Sequence, residues 1–205
     1  MIRFRLVSPD DIEQLYAISL TTGARGGDAS HLYRDGRMMG HIYSAPYAKL
    51  SPQTGLVAED EIGVGGYIVG TFDTRGFEVI LEREWWPALR MMYPDPSGDA
   101  DGWDADQRRC FMIHHPRNAP DSIIDAFPAH LHMNLLPRMQ GQGIGSALLD
   151  RWVSMARLAG VAGIHLSANA ANHGALRFWA IRGFTRLAPP IAPPSETTIW
   201  FGLKP

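Results

Sequence analysis

The chain has 205 residues, of which 45% are hydrophobic and 20% charged, and its formal net charge is −2. That length suits a single domain with its own core, and the composition is that of a soluble globular protein rather than a disordered or collagen-like one. The charge excludes a module built to neutralise a polyanion, so no nucleic acid is expected as a partner, and the single cysteine, Cys110, excludes an intrachain disulfide and cysteine-based zinc sites.

Residues 2–7 alternate apolar and polar side chains, as a half-buried strand does. They carry neither the apolar run of a signal peptide nor one long enough to span a bilayer, which predicts a cytoplasmic protein with no membrane partner. A helix should follow, N-capped by Ser8, with Pro9, Asp10 and Asp11 in its first turn and Ile12, Leu15 and Tyr16 on one face. The Gly-rich loop 21–28 leads into a second helical stretch, 32–48, interrupted at Gly36 and Gly40 and bent or ended near Pro46. Residues 56–60 and 64–72 read as a hairpin over Asp60-Glu61-Ile62-Gly63, and 74–92 as a helix with Phe77, Leu81, Trp85 and Leu89 near the helical period.

From 93 to 128 prolines and glycines accumulate, marking an irregular insertion with a short helix around 105–113. It is either a lid or a plain surface excursion. Then come a strand at 129–136, a helix at 143–159, a strand at 163–168, and a short helix capped by Asn172 and closed by Gly183. Strands at 184–187 and 197–201, on either side of a Pro-rich turn, complete the set. Seven strands with helices between them predict an α+β (mixed α/β) class, in one domain covering 1–205.

Residues 135–146, Leu-Leu-Pro-Arg-Met-Gln-Gly-Gln-Gly-Ile-Gly-Ser, join a strand end to a helix start. Glycines there let successive backbone N–H groups point at a bound anion, and the helix dipole favours negative charge, so a diphosphate fits. A P-loop would need a lysine before Ser146, and a dinucleotide fingerprint belongs early in a βαβ unit, not late in the chain. The same glycines would also serve a tight turn and a close helix–strand contact with no ligand at all.

Gln140-x-x-Gly143-x-Gly145, preceded by a strand and Pro137, resembles the Q/R-x-x-G-x-G/A signature of the GNAT acetyltransferases. Asn172-x-x-Ala175-x-x-Phe178-Trp179-x-x-x-Gly183-Phe184 is similar to the second motif of that family. Asp28, Tyr33-Arg34-Asp35, Gly40-His41-Ile42-Tyr43, Ala45-Pro46-Tyr47, Glu84-Trp85-Trp86-Pro87 and Ala129-His130-Leu131-His132 narrow the resemblance. They look like the bacterial acetyltransferases related to the C-terminal acetyltransferase-like domain of O-GlcNAcase.

The resemblance implies a GNAT fold: a central mixed, mostly antiparallel sheet of about seven strands flanked by helices, with a parallel, splayed pair at the cofactor site. It implies acetyl-CoA as co-substrate and direct acetyl transfer to a primary amine in a ternary complex. The acceptor would be a small molecule or a peptide or protein amine, and the protein a monomer or homodimer. By the same resemblance the backbone of Leu135 and Leu136 would bond the pantetheine arm, and Gln140, Gly141, Gln142, Gly143, Ile144, Gly145 and Ser146 would hold the pyrophosphate. Asn172 and Trp179 would border the pantetheine and thiol. The animal domain is regarded as a pseudo-enzyme without cofactor-binding residues, so a non-catalytic acyl-CoA-binding or interaction module is the rival reading. The intact cradle here favours cofactor binding.

Acetylation of a lysine-like amine, with a pKa near 10.4, needs a base. His130 and His132 are the candidates, two apart on the cofactor strand and so on one face, which Asn134 continues. The arylalkylamine N-acetyltransferases carry a similar His-x-His pair on this strand, acting through water, and an unperturbed imidazole titrates near the right pH. The alternative is that these rings are hydrogen-bonded core groups. Trp179 stands where many family members place an acidic Tyr; an indole N–H donates a hydrogen bond but is no practical acid, which points to a packing role. Asp28, Tyr33 and Tyr43 belong to the segment that roofs the acceptor site in this fold, although Tyr43 and Tyr47 would equally serve helix packing. His114, His115 and His173 lack a ligand set, so no metal is expected.

Overall fold

The computed structural model describes residues 1–188 and 198–205. Seven strands form one sheet: β1 (Arg3–Leu6), β2 (Leu56–Asp60), β3 (Gly63–Thr71), β4 (Ala129–Leu135), β5 (Ile164–Asn169), β6 (Thr185–Leu187) and β7 (Thr198–Leu203). Their order is β1-β2-β3-β4-β5-β7-β6, and every neighbouring pair is antiparallel except β4 and β5. The β2–β3 hairpin turns where the sequence places it, with the Asp60 carboxylate accepting from the N–H of Ile62 and Gly63 at 2.9 and 3.2 Å. The Pro-rich turn before β7, and the expected start of that strand at Thr197, lie outside the described residues.

On one face of the sheet lies α8 (Ile144–Leu158), so labelled because seven shorter helices precede it. Its buried Ile144, Leu148, Leu149, Trp152 and Ala156 recur at helical spacing and pack against Ile68, Ala129, Leu131 and Ile164. Trp152 is fully buried, and its indole N–H donates to Thr54 O at 2.8 Å, so the ring carries no unmet donor into the core. The opposite face is covered by α1 (Ile12–Thr21), α3 (Ala45–Leu50) and α4 (Thr74–Glu84), whose Leu15, Ile18, Tyr47 and Phe77 meet Val57, Tyr67 and Val69 of the sheet. A further layer of α2 (Met38–Tyr43), α5 (Trp86–Met92) and α6 (Ala105–His114) surrounds Trp85, Trp86 and Ile113. The short α7 (Asp121–Ile124) leads back to β4, and α9 (His173–Ile181) follows β5.

Two of the expected helices differ from the sequence reading. The stretch 32–48 is helical only from Met38, and it breaks at Ser44 into α2 and α3, with Pro46 opening α3 rather than ending anything. Residues 33–35 stay non-helical because the buried Asp106 carboxylate accepts from the N–H of Arg34 and Asp35 at 3.0 and 3.1 Å. The stretch 74–92 divides into α4 and α5 at Trp85, since Pro87 has no N–H to continue the first helix. The insertion at 93–128 holds α6, capped by Asp104 in a reciprocal box with Gln107, and α7. Among the described residues no helix is long and apolar enough to cross a membrane.

Candidate active site

The parallel ladder between β4 and β5 consists of two pairs, Ala129 with Ile164 and His130 with His165; beyond them the strands part. On its other edge β4 continues to bond β3, as far as Leu136 N–H to Gly65 O at 2.8 Å. Backbone groups alternate in direction along an antiparallel strand, so Met133 and Leu135 turn theirs into the gap. Leu136 does not, because its N–H is held by Gly65 and its carbonyl by Met139 N–H. Leu135 O accepts the Gln140 side-chain amide at 2.8 Å, which pins the start of the following loop to the strand end.

That loop is rich in glycine and leaves its main chain open. Gly141 and Gly143 both have left-handed φ, 72° and 76°, and open space lies where a Cβ would stand. Gly143 is the residue before α8 and caps it with no side chain. The consequence is that the N–H groups of Gly141, Gln142, Gly143, Ile144, Gly145 and Ser146 have no acceptor among the described residues, while the next amide, Ala147, already bonds Gly143 O. Consecutive unpaired donors at a helix start fit a diphosphate, so the residues present suit a coenzyme A headgroup. Asn172 caps α9 through Ala175 N–H at 3.1 Å, and its side-chain amide faces Gly26. Trp179 is buried against Phe178 and Phe184 and packs in the core rather than lining the cavity described next.

A cavity of about 530 Å³ opens at the point where β4 and β5 separate. His130, His132 and His165 form its floor, Tyr43, Tyr47, Phe77, Leu81 and Trp86 its walls, and Met112 with residues 116–120 of the insertion its outer rim. Two carboxylates also line it. Glu82 is held by both oxygens on Arg90, whereas Glu78 gives only Oε2 to Arg75, at 2.6 Å.

Counting protons assigns the tautomer of each of the three cavity imidazoles. Thr74 donates its hydroxyl to Pro128 O at 2.6 Å, so His130 Nδ1 must donate to Thr74 Oγ1 at 2.8 Å. His130 Nε2 is then an acceptor, filled by the Tyr47 hydroxyl at 2.7 Å. That hydroxyl has no second proton, so His132 Nε2–H donates to it at 3.1 Å and the lone pair of His132 sits on Nδ1, without a partner among the described residues. His165 donates Nδ1–H to Phe127 O at 2.6 Å. Burial opposes a charge on each ring: it pulls the pKa of His130 well below the ordinary value, that of His132 to about 4, and that of His165 downward, with the neighbouring imidazoles adding to the effect on the first two. The neutral-pH titration of a free imidazole therefore does not carry over to this site. Burial pushes the Tyr47 phenol up, so it stays protonated.

The other residues singled out in the sequence lie as follows. Asn134 shares the histidine face but gives its amide to Thr22 Oγ1 at 2.6 Å and accepts from Tyr67 at 3.1 Å, inside a buried network with Ser19 and Ser44. Tyr43 lines the cavity, its ring 5.5 Å from that of His132, and its hydroxyl accepts from Arg109 at 3.2 Å. Tyr33 accepts from the same guanidinium at 3.1 Å and stands behind the wall. Asp28 is fully exposed away from the cavity, its carboxylate held by Ser30, which keeps it below the usual carboxylate range. His165, Thr74 and Glu78 were not singled out in the sequence. The only signal for His165 was its place in strand 163–168, and without the register to β4 nothing set it beside His130.

The sequence model described as the Acetyltransferase (GNAT) family matches residues 22–184. Over 133 residues the chain is 22% identical to protein O-GlcNAcase of Rattus norvegicus, covering 65% of this chain and 14% of that one, with the same figures for Mus musculus. The chain thus spans about a seventh of the length of these curated relatives. The crystal structure of SsHAT is 31% identical, with 99% of this chain and 98% of that one covered at a TM-score of 0.87. The paia N-acetyltransferase of Thermoplasma acidophilum, in complex with coenzyme A, shares the fold at 13% identity and a TM-score of 0.59, covering 100% of this chain and 99% of that one. So does yncA from Salmonella typhimurium, solved with its cofactor acetyl-CoA, at 15% identity and 0.54, covering 99% and 93%. A family match that runs from the end of α1 to the residue after Gly183, joined to this sheet order and splay, makes the chain a member of the GNAT acetyltransferase family.

Proposed function

We propose that the protein transfers the acetyl group of acetyl-CoA to a primary amine by direct attack in a ternary complex. The observation that carries the reading is a juxtaposition: just beyond its C-terminal end β4 has six amides unpaired among the described residues and, part-way along it, an imidazole lone pair in a cavity. Acetyl-CoA supplies a sulfur-activated acyl carbon, so that a new N–C bond forms as the C–S bond breaks and sulfur leaves as thiolate. The amides from Gly141 to Ser146 hold the diphosphate, and Met133, with the N–H of Leu135, offers backbone groups to the arm. His132 Nδ1 takes the proton that the amine loses. His130, Tyr47 and Thr74 act as positioning residues, since their proton chain fixes the tautomer that presents Nδ1. Glu78, with one oxygen outside its ion pair, attracts an ammonium, and the aromatic walls exclude water. No acid is required at Trp179, because a thiol with a pKa near 8.5 leaves readily as the thiolate.

Residues 1–205 make one domain in this reading, and the insertion at 93–128 walls the acceptor cavity rather than being a bare excursion. A thiol-release assay with acetyl-CoA across small amines, polyamines, amino acids and peptides tests the proposal. Amine-dependent release that falls in a His132 variant supports it. Tight coenzyme binding with no release across the panel would favour the non-catalytic acyl-CoA-binding module instead.

A further inference from the structure

We propose that the acceptor is a primary amine that also carries a carboxylate, and that the insertion receives this anionic end at the outer rim of the cavity through Arg117 and the Arg109–Tyr43 pair; this rests on the amine-acetylation reading above. The acids lining the cavity are already engaged. Glu82 gives both oxygens to Arg90, and Glu78 gives one to Arg75 and keeps the other for the ammonium. The insertion adds cations without counter-ions. Arg117 stands exposed on the rim and makes no ion pair among the described residues, and the side-chain amide of its neighbour Asn118, also on the rim, has no partner among them either. Asp104 and Asp106 of the insertion hold Arg34, and Asp121 holds Arg75, so none of these serves Arg117.

Arg109 is the second such cation. It is partly buried, and its bonds go to the hydroxyls of Tyr33 and Tyr43 and to Met112 Sδ, with no carboxylate among them. Its Nη2 bonds nothing among the described residues and is not sealed off, so a ligand can reach it. A guanidinium drawn out of water without an anion is costly, and a ligand carboxylate relieves that cost through charge-assisted hydrogen bonds. Tyr43 brings the effect to the cavity wall: a guanidinium can only donate, so the phenol oxygen accepts, and its own proton has only the weak Met112 Sδ acceptor at 3.9 Å. An amino carboxylate thus lies with its nitrogen inward, at Glu78 and His132, its chain against Phe77, Leu81 and Trp86, and its carboxylate at the rim. A diamine would set its second ammonium against the guanidiniums instead.

Three amines of one length separate charge from size: ε-aminocaproate, hexylamine and hexamethylenediamine, each with shorter and longer homologues, assayed with acetyl-CoA. The expected result is a kcat/KM for the best amino carboxylate about tenfold above that of its alkylamine, mainly through KM, with the diamine last. The preference should shrink at high salt, disappear in Arg109→Gln and reverse in Arg117→Glu. An alkylamine or diamine that matches or exceeds the amino carboxylate at every length, or a preference that survives Arg117→Glu, overturns the inference and leaves acetyl transfer standing. Should Arg109→Gln not fold, Arg117→Glu, at an exposed position, decides. If no amine turns over, the acetylation reading falls and calorimetry of the CoA-loaded protein decides this one: binding of ε-aminocaproate that weakens in Arg117→Glu upholds the carboxylate site, and no binding overturns it.

Discussion

Tyr47 shares a single hydroxyl between two imidazoles, and most of the residue-scale chemistry follows from that one group. Tyr47→Phe strands a buried acceptor on His130 and a donor on His132, so urea unfolding should show a loss of about 1–3 kcal/mol. His132→Gln should lower kcat/KM by roughly 10²- to 10³-fold, the range expected when a positioned proton acceptor is removed. The shape of its pH profile should not change. With the His132 pKa pulled down to about 4 by burial, the ring is already neutral above pH 5, and the rise of rate with pH belongs to the amine. A wild-type inflection near the ordinary histidine pKa that vanished in the variant would contradict this. The sequence showed His130 and His132 on one face, because period two is a property of any strand. It could not show the proton chain, which needs Thr74 and Tyr47 brought in from two helices, nor His165, whose partner is set by strand register.

At the scale of elements, the turn from β4 into α8 was the most legible part of the chain, since its glycines are needed by the backbone itself. Gly143→Val should weaken coenzyme A binding at least tenfold by calorimetry. It should also cost about 1–2 kcal/mol of folding stability, because a β-branched residue is strained at φ 76° even though the space there is open. Wild-type affinity in this variant would remove the cradle from the account. The break between α4 and α5 could have been read from Pro87. The failure of 33–35 to become helix could not, because the carboxylate that captures those amides belongs to Asp106, in the insertion.

For the molecule as a whole, burying neutral histidines makes stability depend on pH. His41, like His132, is pulled to about 4 by burial, and His130 and His165 are lowered as well. Between the unfolded pKa near 6.5 and the folded values, the unfolded chain binds more protons, so this stability is present above pH 6.5 and lost as pH falls toward 4. For His41 and His132 a shift of that size is worth on the order of 3 kcal/mol each. Urea midpoints should therefore fall steeply from pH 7 to 4.5; a flat dependence would mean that the rings are charged or solvated. The mixed sheet with its one parallel pair was legible as an arrangement of strands and helices, while its splay, limited to two paired positions, emerges only from the register.

The central claim is that the main-chain donors from Gly141 to Ser146 seat a coenzyme diphosphate. Calorimetric titration of acetyl-CoA into the purified protein tests it most directly. One molecule bound per chain, with affinity that falls in Gly143→Val, is the predicted result; a titration without binding heat at several temperatures would contradict it.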